Sequence, residues 1–422
     1  MNLLVAGVSH HTAPTDVLER VAVPPADVPA LLRALRAQPH IREVVIVSTC
    51  NRVDIYAAVS GFHAAVADIA AVLADHSGVD ANTLASHTYV HYGDQAVRHV
   101  YRVAAGLDSM VVGDAQILGQ LRDAYAIAVE HDAIGRTVHE LMQQALRVGK
   151  RVRAETGINT AGRDMVTAAL DLGRAQAGLS INGANALVVG AGAMGALALA
   201  TLRRAGAVEL TVANRGLARA RRLAASHHAT AVPIASIQEA LKHVDIVVSA
   251  TSSTTRVLRK ADLPSARTKP LLILDLALPR DVDPTAADVP GVTLVDIASL
   301  RDAPAATTGV DLAAAEAIVA DETHAFLSWL RGLDIAPTVA ALRTRADELV
   351  CAELAALQRR RPDLSDNQRA DVARTVHRVV QRLLHQPTVR VRELAASPDG
   401  DRYAALLQSL FDLRPATAGV EV

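Results

Sequence analysis

Over the first ninety residues the apolar positions fall into short runs with a readable order. Leu3–Ser9, Val44–Thr49, Val53–Ser60 and Thr88–Tyr92 read as strands, whereas 25–37 and 62–75 carry apolar residues at helical spacing. Strand, helix, strand, strand, helix, strand is the β-α-β-β-α-β arrangement of a ferredoxin-like domain. From 94 to 155 the pattern turns helical, with Val97, Val100, Tyr101 and Ala104 spaced for one buried face. Within that stretch Ser109–Tyr125 (SMVVGDAQILGQLRDAY) brackets a short polar segment with glycines and predicts a loop feeding a helix. Five further apolar runs, at Ala186–Val189, Glu209–Ala213, Val244–Ala250, Leu271–Leu276 and Val292–Val295, alternate with helical segments and predict a doubly wound parallel sheet.

After Asp311 the chain is Ala- and Arg-rich and helical to Pro362, and a second helix is expected over 367–385. Such helices cannot bury an apolar stripe alone, which points to a helical dimerisation module. Phe326 and Trp329 read as packing there, and Cys351 as a structural residue. The chain is therefore expected to be an α/β multidomain protein: 1–158, an N-terminal ferredoxin-like catalytic domain; 159–310, a Rossmann domain; and 311–422, a C-terminal helical domain.

Composition narrows this picture. The 422 residues suffice for two or three cores, and with 50% apolar but 2% aromatic residues those cores must be aliphatic. A net charge of −1 excludes a uniformly basic coat, though not a local one such as Arg147, Lys150, Arg151 and Arg153. Two cysteines exclude a disulfide framework and fit a reducing compartment. The N-terminus lacks a basic flank, and the apolar run 186–202 is short for a bilayer and patterned with glycine. A soluble, cytoplasmic protein without membrane contact is expected, and no metal ligands are assigned.

Chemistry enters at Ser48-Thr49-Cys50-Asn51-Arg52. Cys50 falls in the connection between the second and third strands, where a side chain is presented rather than packed. A lone cysteine is more often core than catalyst, but polar and cationic neighbours are what a nucleophilic thiol requires. The second motif is Gly190-Ala191-Gly192-Ala193-Met194-Gly195, which directly follows a strand and opens a helix. In that setting the glycines permit the turn, the approach of a pyrophosphate and close helix–strand packing. About twenty residues on, where an NAD site carries a carboxylate for the ribose, this chain has Asn214-Arg215. Arginine pairs with a 2′-phosphate, so NADPH is the expected cofactor. His99, taken alone, reads as a partly buried surface histidine.

Together the motifs resemble the glutamyl-tRNA reductase family along essentially the whole chain. The carrying segments are GVSHHTAP (7–14), STCNR (48–52), RHVYRVAAGLDSMVVGDAQILGQ (98–120), GKRVRAET (149–156), GAGAMG (190–195), DLALPRDVDP (275–284) and HQPTVR (385–390). The resemblance implies NADPH-dependent reduction of glutamyl-tRNA to glutamate-1-semialdehyde, with release of tRNA, at the head of tetrapyrrole synthesis. It implies that Cys50 is a nucleophile forming a thioester and that His99 is an activity-critical acid–base group or thiolate partner. It places glutamyl recognition at Thr49, Asn51, Arg52, Ser109, Asp114, Ala115, Gln116 and Gln120, with Arg52 meeting the substrate carboxylate. It also implies a homodimer and a transient contact with an aminomutase. The chain departs from the family pattern at Leu18, at Asp114 and over 159–165. Two other readings stand beside this one: a non-catalytic NADP sensor that dimerises through its tail, and a small-molecule dehydrogenase in which Cys50 is incidental.

Overall fold

The computed structural model describes residues 2–114, 116–156, 158, 165–251, 253, 255–264, 269–301, 312–395, 406–411 and 413. Residues 1–320 form one compact unit and 321–422 a second.

In the first unit, strand β1 (Asn2–Ser9) is almost wholly apolar because it is central. It runs antiparallel between β3 (Arg52–Val59) and β4 (Tyr89–Tyr92), while β2 (Ile41–Ser48) pairs with the other edge of β3. The order β2-β3-β1-β4 is that of the expected ferredoxin-like sheet. Helices α1 (Thr15–Val21), α2 (Val28–Arg36), α3 (Phe62–Ser77) and α4 (Ala81–His87) lie within this motif, and α5 (Asp94–Ala105), α6 (Gln116–Glu130) and α7 (Arg136–Glu155) follow it. The expected alternation along β3 is absent. Every residue of that strand is buried, because α1, α3 and α7 pack on it. A fully buried strand leaves Arg52, Asp54 and Tyr56, which share one face, to satisfy one another.

Helix α8 (Met165–Ala177) leads into the second sheet. Its strands are β5 (Ala186–Val189), β6 (Leu210–Asn214), β7 (Thr230–Pro233), β8 (Ile246–Ser249), β9 (Leu271–Asp275) and β10 (Val292–Asp296). All pairs are parallel, in the order β10-β9-β8-β5-β6-β7, with the reversal beside β5. Helices α9 (Ala193–Arg204), α10 (Leu217–Ser226) and α11 (Ile237–Leu241) connect strands of this sheet, and α12 (Ile297–Arg301) follows its last strand. Val188, Val248 and Leu274 enter one apolar cluster, and Leu187, Val247 and Ile273 another. Burial on both faces explains why the strands read as continuous apolar runs. Cys50 and Met110 of the first sheet's domain pack against the former cluster, so the two sheets share a seam.

The sequence pattern did not predict α8 or the five-residue α12, nor α1 and α4, which are only seven residues each, nor β7, a half-exposed edge strand of four. The helix expected from Pro25 begins at Val28.

In the second unit, α13 (Leu312–Arg360), which enters it from the first, and α14 (Asp366–Ala395) are joined by a short turn. The helix expected over 367–385 continues past Pro387. Thr388 Oγ1 donates to the carbonyls of Leu384 and His385 one turn back, next to the Leu383 carbonyl that loses its i→i−4 donor at Pro387. Leu342, Leu407 and Leu413 form a small core with Leu384 and Val391. Phe326 and Trp329 do pack, with ring centroids 5.2 Å apart. Cys351 is exposed rather than held in a core. Among the described residues no helix is long and apolar enough to cross a membrane.

Candidate active site: a cysteine turn facing a glycine loop

β2 and β3 are joined by a tight turn whose central residues are Cys50 and Asn51. Thr49 N–H donates to Arg52 C=O at 2.8 Å, and Asn51 N–H to Thr49 Oγ1 at 3.2 Å. His10 N–H donates to Asn51 C=O at 2.9 Å from the end of β1. The closed turn holds Cys50 half-buried, against the apolar cluster of the second sheet. Burial, and then the carboxylate of Asp114, push the thiol up to about 12, so it is protonated at neutral pH.

Arg52 is fully buried at 2% exposure. Its Nη1 donates to Asp54 Oδ2 at 3.2 Å and its Nη2 to Asp108 Oδ2 at 2.6 Å. Asp54, with no exposure at all, also accepts from Tyr56 Oη at 2.8 Å, from Tyr89 Oη and from His99 Nε2 at 3.4 Å. Burial alone would raise this carboxyl, but Arg52 and His99 hold it well below the usual range. Gly7 lies opposite Asp54 on β1, where a Cβ would stand 2.4 Å from Asp54 Oδ1. Only glycine admits the carboxylate there.

His99 is therefore not a surface histidine. It is buried, stacked on His91 at 4.6 Å and bonded to Asp54. No hydrogen bond among the described residues joins it to Cys50; it stands behind Arg52 in the same network. The neighbouring His10 is also buried, with Nδ1 unpartnered, and burial and the charge of His11 lower it to about 4, so it stays neutral.

Thr49, Cys50, Asn51, Arg52, Ser109, Asp114, Gln116 and Gln120 line one small cavity of about 10 Å³, room for roughly one water. Seven of the eight sequence-assigned recognition positions are thus gathered around the sulfur, and Ala115 lies outside the described residues. Asp114 caps the start of α6, accepting Gln116 N–H at 3.0 Å, while Arg153 Nη2 donates to the Asp114 carbonyl at 3.0 Å. The rest of the basic cluster is mostly engaged as well: Arg147 pairs with Glu140 and Arg151 with Glu155, leaving Lys150 exposed.

The same cysteine turn forms one wall of a cleft of about 810 Å³ whose other wall is the glycine loop. Gly190 has φ +112°, and a Cβ on it would sit 2.4 Å from Ala250 C=O. On Gly195 a Cβ would fall 2.3 Å from Gly190 C=O, whereas Gly192 has open space beside it. The loop is thus tight where helix meets strand and free where a pyrophosphate approaches, which fits a dinucleotide. Ala191, Ala193 and Met194 line the cleft, and Gln116 Nε2 donates to Met194 Sδ across it at 3.5 Å. Asn214 and Arg215 line it as expected, together with Arg219 and Arg256. Sequence reasoning missed the latter two; Arg219 follows one helical turn after Arg215, and that spacing was the available signal. Behind the cleft, burial and the charge of Asp281 raise Asp275 to about 7, even though the amides of Ala277, Asp281 and Val282 donate to it.

A nucleotide-ready glycine loop, with the Cys50 turn facing it across one cleft, marks a nicotinamide-dependent oxidoreductase. Residues 6–156 match the glutamyl-tRNA(Glu) reductase N-terminal domain, 171–303 match shikimate/quinate 5-dehydrogenase, and 314–413 match the glutamyl-tRNA(Glu) reductase dimerisation domain. The chain belongs to the glutamyl-tRNA reductase family. It is 58% identical to the glutamyl-tRNA reductase of Salinispora tropica, covering 100% of this chain and 94% of the relative. It is 59% identical to that of Salinispora arenicola over the same shares. The solved glutamyl-tRNA reductase of Methanopyrus kandleri is 27% identical, covering 97% of this chain and 99% of that one at a TM-score of 0.48.

Proposed function

We propose that the chain reduces glutamyl-tRNA to glutamate-1-semialdehyde, with release of tRNA, through a thioester on Cys50. The observation that carries this reading is the placement of Cys50, with seven recognition residues around it, in one cleft with the glycine loop. The Cys50 sulfur, once deprotonated, attacks the aminoacyl ester carbonyl, and the terminal ribose hydroxyl of the tRNA leaves with a proton. The sulfur then holds the acyl group as a thioester, which accepts hydride more readily than an ester. Gly190–Gly195 would hold the NADPH, which would supply the hydride, and the tetrahedral adduct on Cys50 would collapse to aldehyde and thiolate. Arg215, with Arg219 beside it, favours the 2′-phosphate of NADPH over NADH.

Because the thiol is neutral at neutral pH, deprotonation has to accompany substrate binding. Asp114 is placed to take the ammonium of the glutamyl group, which neutralises the very charge that raises the sulfur. Arg52 is the cation nearest to hand for the glutamyl carboxylate, which would share it with Asp54 and Asp108. His99 acts through Asp54 as a positioning group for Arg52. The helical tail pairs two copies of the chain in the cytoplasm, and the aldehyde passes to an aminomutase by transient contact.

Cys50→Ser tests the reading. NADPH oxidation that depends on glutamyl-tRNA should be abolished, with NADPH affinity nearly unchanged. Unimpaired turnover would rule out the thioester. A native chain with no turnover would favour the sensor.

A further inference from the structure

Glu19 lies on α1, and Arg280 follows Leu276–Pro279, a segment lining the cleft. They are 261 residues apart, yet Arg280 N–H donates to Glu19 Oε1 at 3.0 Å and its Nε lies 3.4 Å from the same oxygen. Asp296, the last residue of β10, stands 3.6 Å from that Nε. One cation thus sits between two carboxylates, with side chains only 24%, 17% and 20% exposed for Arg280, Glu19 and Asp296. At that burial solvent screens the pairing less than at a free surface.

Each end is anchored to its own half of the active site. α1 buries Thr15, Val17, Leu18 and Val21, and just beyond it Val23 N–H donates to Ser48 Oγ, two residues before Cys50. On the other side Arg280 C=O accepts Arg256 Nη1 at 3.0 Å, and the next two amides donate to Asp275. The contact therefore joins the support of the cysteine turn to the segment on which the nucleotide cleft is built.

We infer that Glu19 and Arg280 are a positioning pair that sets the separation of the Cys50 sulfur from the bound nicotinamide, acting in hydride transfer and not in acyl transfer. The inference rests on the thioester reading above. Acyl transfer draws on groups of the first sheet's domain alone, whereas hydride transfer needs both walls at near-attack distance. A misplacement of about 1 Å costs on the order of 100-fold in such a step. Neither residue touches the reacting atoms.

The test uses the full-length chain with Glu19→Ala, Arg280→Ala and the double variant. Transfer of labelled glutamate from its tRNA to protein is followed without NADPH, and aldehyde formation with it. Labelling rate and NADPH affinity should stay within about twofold while aldehyde formation falls about 10- to 100-fold. The double variant should be no worse than the poorer single, as for two residues of one contact. Glu19→Gln, which keeps an acceptor for the Arg280 amide, should fall between. Parallel loss of labelling and reduction, no loss of either, or multiplied losses in the double variant would overturn the pair. Hydrogen exchange over 276–282 decides independently of the chemistry: Glu19→Ala should speed it, and unchanged protection sinks the inference. A native chain that never takes up label counts instead against the thioester reading, and the exchange result still decides the pair.

Discussion

The two walls of the cleft are prepared for their ligands in opposite ways. The nucleotide wall is made of backbone: glycines at 190, 192 and 195, a helix start, and arginines at the rim. It is open before anything binds. The cysteine wall is made of side chains that satisfy one another. Arg52 is held by Asp54 and Asp108, the thiol is protonated, and the cavity around them admits about one water. A backbone cradle costs little to keep open, because its donors are solvated until the phosphates displace water. Buried charges cannot be left waiting, since an unpaired one costs several kcal/mol, so the cysteine wall keeps its charges paired internally.

The comparison breaks most visibly at the sulfur. With its pKa raised above the free-thiol range of about 8.5, Cys50 carries less thiolate at any given pH. Alkylation by iodoacetamide at pH 8 should run about 10² to 10³ times slower than for a free thiol and still climb with pH at 10. A titration midpoint near 8 in the empty protein would remove the shielded-thiol account. On the other wall, Gly195→Ala puts a methyl group into the Gly190 carbonyl, and NADPH affinity should drop about 100-fold or more while Cys50 is still acylated by glutamyl-tRNA. Loss of both activities together would mean the walls are not separable.

Arg215→Ala should weaken NADPH about tenfold and leave NADH nearly unaffected, the worth of one charge-assisted contact. Equal loss for both cofactors would remove the 2′-phosphate assignment. At the low end, Arg147 is 62% exposed and paired only with Glu140, so Arg147→Ala should change unfolding free energy by less than about 1 kcal/mol in denaturant melts. A larger loss would show that the α7 cluster supports the cysteine wall more than its exposure allows.

The sequence by itself determined the first sheet, five of the six strands of the second, the turn that carries Cys50 and the glycine cradle, because each is written in local patterns. Period-two and continuous apolar runs specify strands, a strand–glycine–helix junction specifies the phosphate site, and a polar pentapeptide between two strands specifies a presented thiol. Short or half-buried pieces such as α1, α4 and β7 carry too few periods to be read that way. What the tertiary structure alone decided is which charges meet. Asp54 is a single acid inside an apolar strand, and only the fold brings Arg52, Tyr56, Tyr89 and His99 onto it from three elements. His99, Asp108 and the Glu19–Arg280 contact share that origin, since electrostatic partners are chosen by distance in space and desolvation, and neither is encoded at any fixed spacing along a chain.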